Sequence, residues 1–382
     1  MKKEKIILFI NCIYTIISKW DSLITKCNNT INLKDAMYYL SYMTGNHLSF
    51  DEITYYLNIN NFLTMTKSGL IKYKDNMDNN VILSINDELI KDIYESTKNN
   101  VYAMDGTYIN IYECFANYGY KKKKNTNSCT LLISALYDVE KKILINYAPL
   151  KNNNERDGIT CQLKYLKKND ILIVDRGYYS EKILYTFIHN KIKILFRLRS
   201  NYKFLKNLKK KNETIEYIVY DSKLIKFRIF KYVIEKITYY FCTTIFDKTI
   251  SHLKELYWKR WKIECHFLKA KYVLCLEQLQ SKTNNSLLID ISIHNFIFII
   301  ASRIEYILQD DIEINKKINT SLCIHSIIND FLKIIFYDNI NKSSKEKISS
   351  IIEYLSKALV CCKEGRSYER SKQRPPIGWI EH

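Results

Sequence analysis

The stretch VYAMDGTYINIY (101–112) decides how this chain is read: its β-branched and aromatic residues mark a strand, yet it carries an acid, Asp105, in mid-run. Two more runs of the same kind follow, SCTLLISALYD (128–138) and KKILINYAPL (141–150), divided by polar breaks, so the three read as consecutive antiparallel strands. A helical stretch around GITCQLKYLKK (158–168) then leads to ILIVDRGYYS (171–180), an apolar run of the kind that forms a buried strand, with Asp175 at its C-terminal end.

Three strands, a crossover helix and a fourth strand is the order of the ribonuclease H-like fold. In that fold the fourth strand lies beside the first and parallel to it, which would bring Asp105 and Asp175 together. IKILFRLRS (192–200) reads as a fifth strand, carrying Arg197 and Arg199. Residues 213–246 continue in strand-like runs without a helical period and are expected to form a β-rich insertion over about 201–246. The expectation is therefore an α/β chain: a ribonuclease H-like mixed-sheet core over 98–284 with that insertion, a helical N-terminal region (1–97), and a helical C-terminal region (285–382) that ends in the basic tail GRSYERSKQRPPIGWIEH.

Composition agrees with a folded chain that meets a polyanion. The 382 residues are enough for two or three domains, and 47% hydrophobic residues suffice to build cores. Lys and Arg outnumber Asp and Glu by 59 to 40, a formal charge of +19 that points to nucleic acid before an acidic membrane surface. The bases recur along the chain (121–124, 206–211, the tail from Lys363), as a long polymer crossing several parts of the protein would require. Part of the excess is discounted, because 8 Gly and 3 Pro beside abundant Ile, Lys and Asn read as AT-rich coding. The 11 cysteines are odd in number and irregularly spaced and contain no CxxC, so reduced thiols are expected and a zinc site is not.

The start, MKKEKIILFINCIYTIISKW, imitates a secretory signal, but Asn11 and Lys19 interrupt it and no small-x-small cleavage site follows. A buried amphipathic helix is expected instead. No run approaches ~18 uninterrupted apolar residues, so no membrane partner and no secretion are expected, and the site of action is cytoplasmic, nucleoid-associated, or nuclear in a eukaryotic host. Residues 48–77 have the outline of a helix-turn-helix, without the usual turn glycine, and are a candidate DNA contact.

LYWKRWKIECHFLKAKY (256–272) holds one acid, Glu264, among bases and aromatics. On a continuous helix Tyr257, Arg260 and Lys271 fall at roughly +20°, −40° and −20° from Glu264, on one face. Read alone, this is an amphipathic surface helix with an Arg–Glu pair. Read with Asp105 and Asp175, Glu264 becomes the third carboxylate of a site for two divalent cations about 4 Å apart, because close carboxylates need positive charge between them. Arg260 and Lys271 would then hold phosphates, and Tyr257 would meet nucleic acid.

The spacing Tyr257-x2-Arg260-x3-Glu264-x6-Lys271 resembles the Tyr-Arg-Glu-Lys (YREK) signature of DDE transposases of bacterial insertion sequences, in the insertion sequence four group. DGT (105–107) and DRGYYS (175–180) are similar to that family's first and second acidic motifs, and RSYERSKQRPPIGW is similar, more loosely, to its basic C-terminal motif. The similarity spans about residues 100–275. It implies Asp105, Asp175 and Glu264 as catalytic metal ligands, Mg²⁺ as cofactor (two ions, with Mn²⁺ able to substitute), and double-stranded DNA as partner: terminal inverted repeats and a target. It further implies hydrolysis of element ends to a 3′-hydroxyl, strand transfer into target DNA, and a homodimer on DNA.

Tyr257, Arg260, Lys271, Arg176 and Trp258 are the expected DNA contacts. Arg176, Arg197 and Arg199 could equally serve structural pairs. Trp261 reads as helix packing, Glu155 and Asp157 in NNNERDG as a solvated loop and helix cap, and His252 and His266 as packing or surface residues. Three other readings stay open: a nuclease on the same core, a domesticated transposase that only binds DNA, and a basic membrane-associated protein.

Overall fold

Side-chain caps at Asn32, Ser49, Thr66 and Asp78 start four of the five helices that precede the first strand: α1 (Lys2–Ile24), α2 (Leu33–Asn46), α3 (Phe50–Ile59), α4 (Lys67–Asn76) and α5 (Asn79–Tyr94). At Ser49 the cap is reciprocal, with Glu52 bonding back to the Ser49 amide. The computed structural model describes residues 2–24, 31–60, 62, 66–95, 99–208, 210–309, 312–313, 316–337 and 341–361. The basic tail and most of the turn between α3 and α4 lie outside them.

The strands follow the order read from the sequence. β1 (Val101–Tyr112), β3 (Ser128–Asp138) and β4 (Ile143–Leu150) form an antiparallel set, with the two-residue β2 (Lys121–Lys122) on the outer edge of β3. The chain then crosses through α6 (Asp157–Gln162) into β5 (Ile171–Val174), which pairs with β1 in parallel. Helix α7 (Glu181–His189), capped by Ser180, returns it to β6 (Lys193–Leu198), parallel to β5. β4-β3-β1-β5-β6 is the strand order of the ribonuclease H-like fold.

The residues expected to form an insertion extend this same sheet. β9 (Ile237–Thr243) pairs antiparallel with β6, and β8 (Lys223–Ile234) and β7 (Glu213–Tyr220) add outward from it, giving a nine-stranded sheet. Two helices follow, α8 (Ile250–Trp258) and α9 (Trp261–Tyr272), and then α10 (Asn284–Gln309). Helix α10 is apolar on most sides because it is packed on most sides, against α5, β4 and α2. Its length and hydropathy, like those of Lys2–Leu23, would also suit a membrane span, but 83% of its most apolar window is buried within the fold. Helices α11 (Thr320–Ser326), α12 (Leu332–Phe336) and α13 (Lys342–Lys357) complete the described chain.

The helix pair of 48–77 is present as α3 and α4, but one of its basic residues is unavailable to DNA. Lys74 is 1% exposed and is bonded to Asp290 and Ser281 near the start of α10. Lys72 stays exposed.

Candidate active site

The last parallel pair between β1 and β5 is Met104 with Val174, so the next residue on each chain is an acid, Asp105 and Asp175. The continuous helix expected over 256–272 is broken at Lys259–Arg260, where the Lys259 and Arg260 amides bond three residues back, to Leu256 and Tyr257 carbonyls. Arg260 therefore enters α9 as its N-cap residue.

Its guanidinium is shared by two acids: Nη1 donates to Asp105 Oδ2 at 2.7 Å and Nη2 to Glu264 Oε1 at 2.5 Å. Asp175 is held by the residue three before Arg260, since the Tyr257 hydroxyl donates to Asp175 Oδ1 at 3.0 Å, and Arg197 approaches the same oxygen at 3.8 Å. The three acids of the three motifs thus meet one short segment of chain.

Burial pushes the Asp105 carboxyl up to about 6, against the pull of Arg260 and the Gly106 amide, with Glu264 and Glu155 adding to the rise. Burial likewise raises the Tyr257 hydroxyl, so it stays protonated and donates.

Several expected DNA contacts face inward instead. Tyr257 is 3% and Arg260 5% exposed, so neither is placed to meet nucleic acid; both are drawn in by the carboxylates they bond. Lys271 bonds Glu277 at 2.7 Å and the Tyr108 carbonyl at 2.8 Å, which leaves it an internal brace between α9 and β1. Of the five, Arg176 and Trp258 remain exposed, as does Trp261, which was expected to pack. His266 is packing, buried against Tyr147 and Phe298, and His252 is on the surface.

Glu155 departs most from its reading as a solvated loop residue. It is half-buried between the glycines that follow the two acids: a Cβ on Gly106 would lie 3.4 Å from Glu155 Cγ, and one on Gly177 would lie 2.9 Å from Oε2. The loop is fastened there by Arg156 Nε, which donates to the Gly177 carbonyl at 3.0 Å, while Asp157 accepts from Asn152 and Asn154 as a loop anchor. The signal available in sequence was the glycine shortly after each acid, DG and DRG.

The donor set fits a hard divalent cation in chemistry: oxygen ligands, excess negative charge, and a buried hydroxyl, Tyr178 Oη, with no partner among the described residues. It is not yet arranged as a coordination shell. Among the described residues no three acids, histidines or cysteines stand close enough to share one ion. In this arrangement Asp105 and Glu264 meet around a guanidinium, because like charges this close require a counter-charge.

Residues 96–300, just over half of the chain, match the family model described as Transposase DDE domain. The chain belongs to this family. It is a DDE transposase, an enzyme that cleaves DNA and transfers its strands. Its fold is similar to that in the cryo-EM structure of the piggyBac transposase synaptic complex with hairpin DNA, with a TM-score of 0.50 at 13% sequence identity, covering 91% of this chain and 85% of that one. A search of the curated proteins finds no match. DDE transposase domains act with divalent metal, and the family match spans β1, the end of β5 and α9, where the three acids lie, and α8, which carries Tyr257.

Proposed function

We propose that this transposase is of the insertion sequence four group, and that Asp105, Asp175 and Glu264 are its acidic triad. The observation that carries the reading is the sharing of signature residues among the acids: Arg260 bonds Asp105 and Glu264 while Tyr257 bonds Asp175. Two residues of the Tyr-Arg-Glu-Lys signature thereby orient all three carboxylates, and a third supplies one of them. Lys271 fixes the C-terminal part of α9 on the β1 backbone, which holds Glu264 at the depth of Asp105.

Divalent cations, two Mg²⁺ with Mn²⁺ able to substitute, would supply Lewis-acid polarisation of the scissile phosphate and activation of the attacking oxygen, and Asp105, Asp175 and Glu264 are the residues that would hold them. The chain's own part is positioning. Tyr257 aims Asp175, and Arg260 relieves the repulsion between Asp105 and Glu264. Exposed Arg176 and Trp258 are the side chains left to meet the DNA backbone or a base.

The substrate on this reading is the terminal inverted repeat of an element. Hydrolysis frees a 3′-hydroxyl, and that hydroxyl attacks a target phosphate and displaces the 3′ oxygen of the target strand. Two ends joined to one target need two active sites held together, hence a homodimer on DNA. Asp175→Asn is expected to abolish end cleavage while leaving end binding within about twofold, since it removes a carboxylate and no phosphate contact. Cleavage at the wild-type rate in that variant would end the triad assignment. A strand-transfer assay with pre-cut ends separates this activity from a plain nuclease, which hydrolyses without joining, and light scattering of the end complex checks the dimer.

A further inference from the structure

Glu155 is an acid beside Asp105 and Asp175 to which no motif gives a part. Its half-buried carboxylate has no hydrogen bond and no ion pair among the described residues. Burial raises its pKa and the neighbouring Asp175 adds to the rise, while Glu155 in turn raises that of Asp105. An acid of no use would turn to solvent, and this one is placed against Gly177, whose missing side chain makes its room. A Cβ at Gly177 would sit 2.9 Å from its Oε2, inside any normal contact, whereas one at Gly106 would meet Leu132 Cδ1 at 2.8 Å and lie beside Glu155 Cγ at 3.4 Å. Neither Gly106 nor Gly177 has a positive φ, so backbone conformation does not call for glycine at these positions; space does, against Leu132 at Gly106 and against Glu155 at Gly177.

A second observation points to a ligand in the same place. Tyr178 is fully buried beside Glu155, Asp105 and Arg260, and its hydroxyl has no hydrogen-bond partner; Arg260 Nε is buried without one as well. Two orphaned buried donors beside an unpaired carboxylate mark a polar space with room for an acceptor oxygen, such as that of a cation-bound water or of a phosphate, which would satisfy them while the carboxylate faces the cation.

We propose that Glu155 is a fourth carboxylate of the catalytic centre, contributing negative charge to divalent-cation binding beside Asp105 and Asp175, and that Gly177 is a glycine because the Glu155 side chain occupies the place of its Cβ atom. This rests on the triad reading above. It gives the loop between β4 and α6 a function: Arg156, bonded to the Gly177 carbonyl, holds Glu155 against the second acidic motif.

The test is Mn²⁺ binding to the full chain without DNA, followed by electron paramagnetic resonance of free Mn²⁺, for wild type, Glu155→Gln and Asp175→Asn. Glu155→Gln keeps the shape and removes the charge. It is expected to weaken Mn²⁺ binding by about tenfold or more, while its thermal midpoint in EDTA stays unchanged or rises, since a charge repelling Asp175 is gone. Should that variant not fold, Glu155→Asp, which withdraws the carboxylate by one methylene, is expected to show the same loss.

Gly177→Ala is expected to weaken Mn²⁺ binding in the wild type and to add nothing in a Glu155→Ala background; an additive effect overturns the role given to the glycine. Wild-type Mn²⁺ affinity in Glu155→Gln, with affinity lost in Asp175→Asn, overturns the role of Glu155 and leaves the triad standing. Wild-type affinity in both variants overturns the two together.

Discussion

Arg260 is 5% exposed and bonds two acids, so its removal differs in kind from the loss of a surface charge. Arg260→Ala leaves Asp105 and Glu264 facing each other without a counter-ion, and a loss of about 3–5 kcal/mol in urea unfolding is expected, the range for breaking a buried pair. A change under about 1 kcal/mol would show that solvent reaches the acids and that the guanidinium is dispensable. Because Arg260 is turned inward, the slope of DNA affinity against salt is expected to stay near wild type in Arg260→Lys, which keeps the charge. Arg176→Ala, which removes an exposed charge, is expected to flatten that slope by about one unit. At Tyr257, Phe removes only the hydroxyl on Asp175, a bond to a charged acceptor worth about 1.5–3 kcal/mol. End cleavage in Tyr257→Phe is therefore expected to fall about tenfold or more with end binding unchanged, and single-turnover cleavage beside a binding titration reads both.

Helix α9 works as an element because its two faces differ. Glu264 looks to the acids of the sheet, while Ile263, His266, Phe267 and Ala270 are buried beneath it. His266 lies against Tyr137, Tyr147 and Phe298, and burial, aided by Lys269, lowers its pKa from the usual 6.5 to about 3. The folded value lies below the unfolded one, so the unfolded chain takes up the proton first as pH falls. The stability carried by neutral His266 is present above about pH 6.5 and is lost progressively toward about pH 3, at up to about 1.4 kcal/mol per pH unit. His266→Phe is expected to flatten the pH dependence of the urea midpoint between pH 6.5 and 4. A profile parallel to wild type would show that His266 is solvated on α9.

At the scale of the whole molecule, the N-terminal helices and the sheet are tied through α10, which packs on α2, α5 and β4. The tie has a charged centre: Lys74 of α4 meets Asp290 of α10, with Ser281 bonded to both. Their side chains are 1% and 10% exposed, so removing one strands the other in an apolar setting. Lys74→Met is expected to cost about 3–5 kcal/mol in thermal or denaturant unfolding, and Lys74→Met with Asp290→Leu to recover most of it, because the pair itself contributes little over an apolar replacement. A double variant as unstable as the single one would mean that the pair carries net stability.

The sequence by itself determined the order of the strands, the parallel contact of β1 with β5 and the chain positions of the acids, because these depend on short-range alternation, turn residues and the length of the crossover. Tertiary structure alone decided what the charges do. Periodicity placed Tyr257, Arg260 and Lys271 on a polar face, and nothing local shows that this face looks onto Asp175, Asp105 and Glu277 instead of onto solvent. Arg260 and Asp105 are separated by 155 residues, and a pair at that distance exists only once the sheet is assembled. The same holds for β9, whose pairing with β6 turns an expected insertion into a continuation of the sheet, and for Glu155, which looks like a loop acid until Gly106 and Gly177 close around it. Local pattern fixes which residues are polar or apolar and in what conformation. Long-range packing fixes which polar groups lose water, and a charge that has lost water must find its partner there.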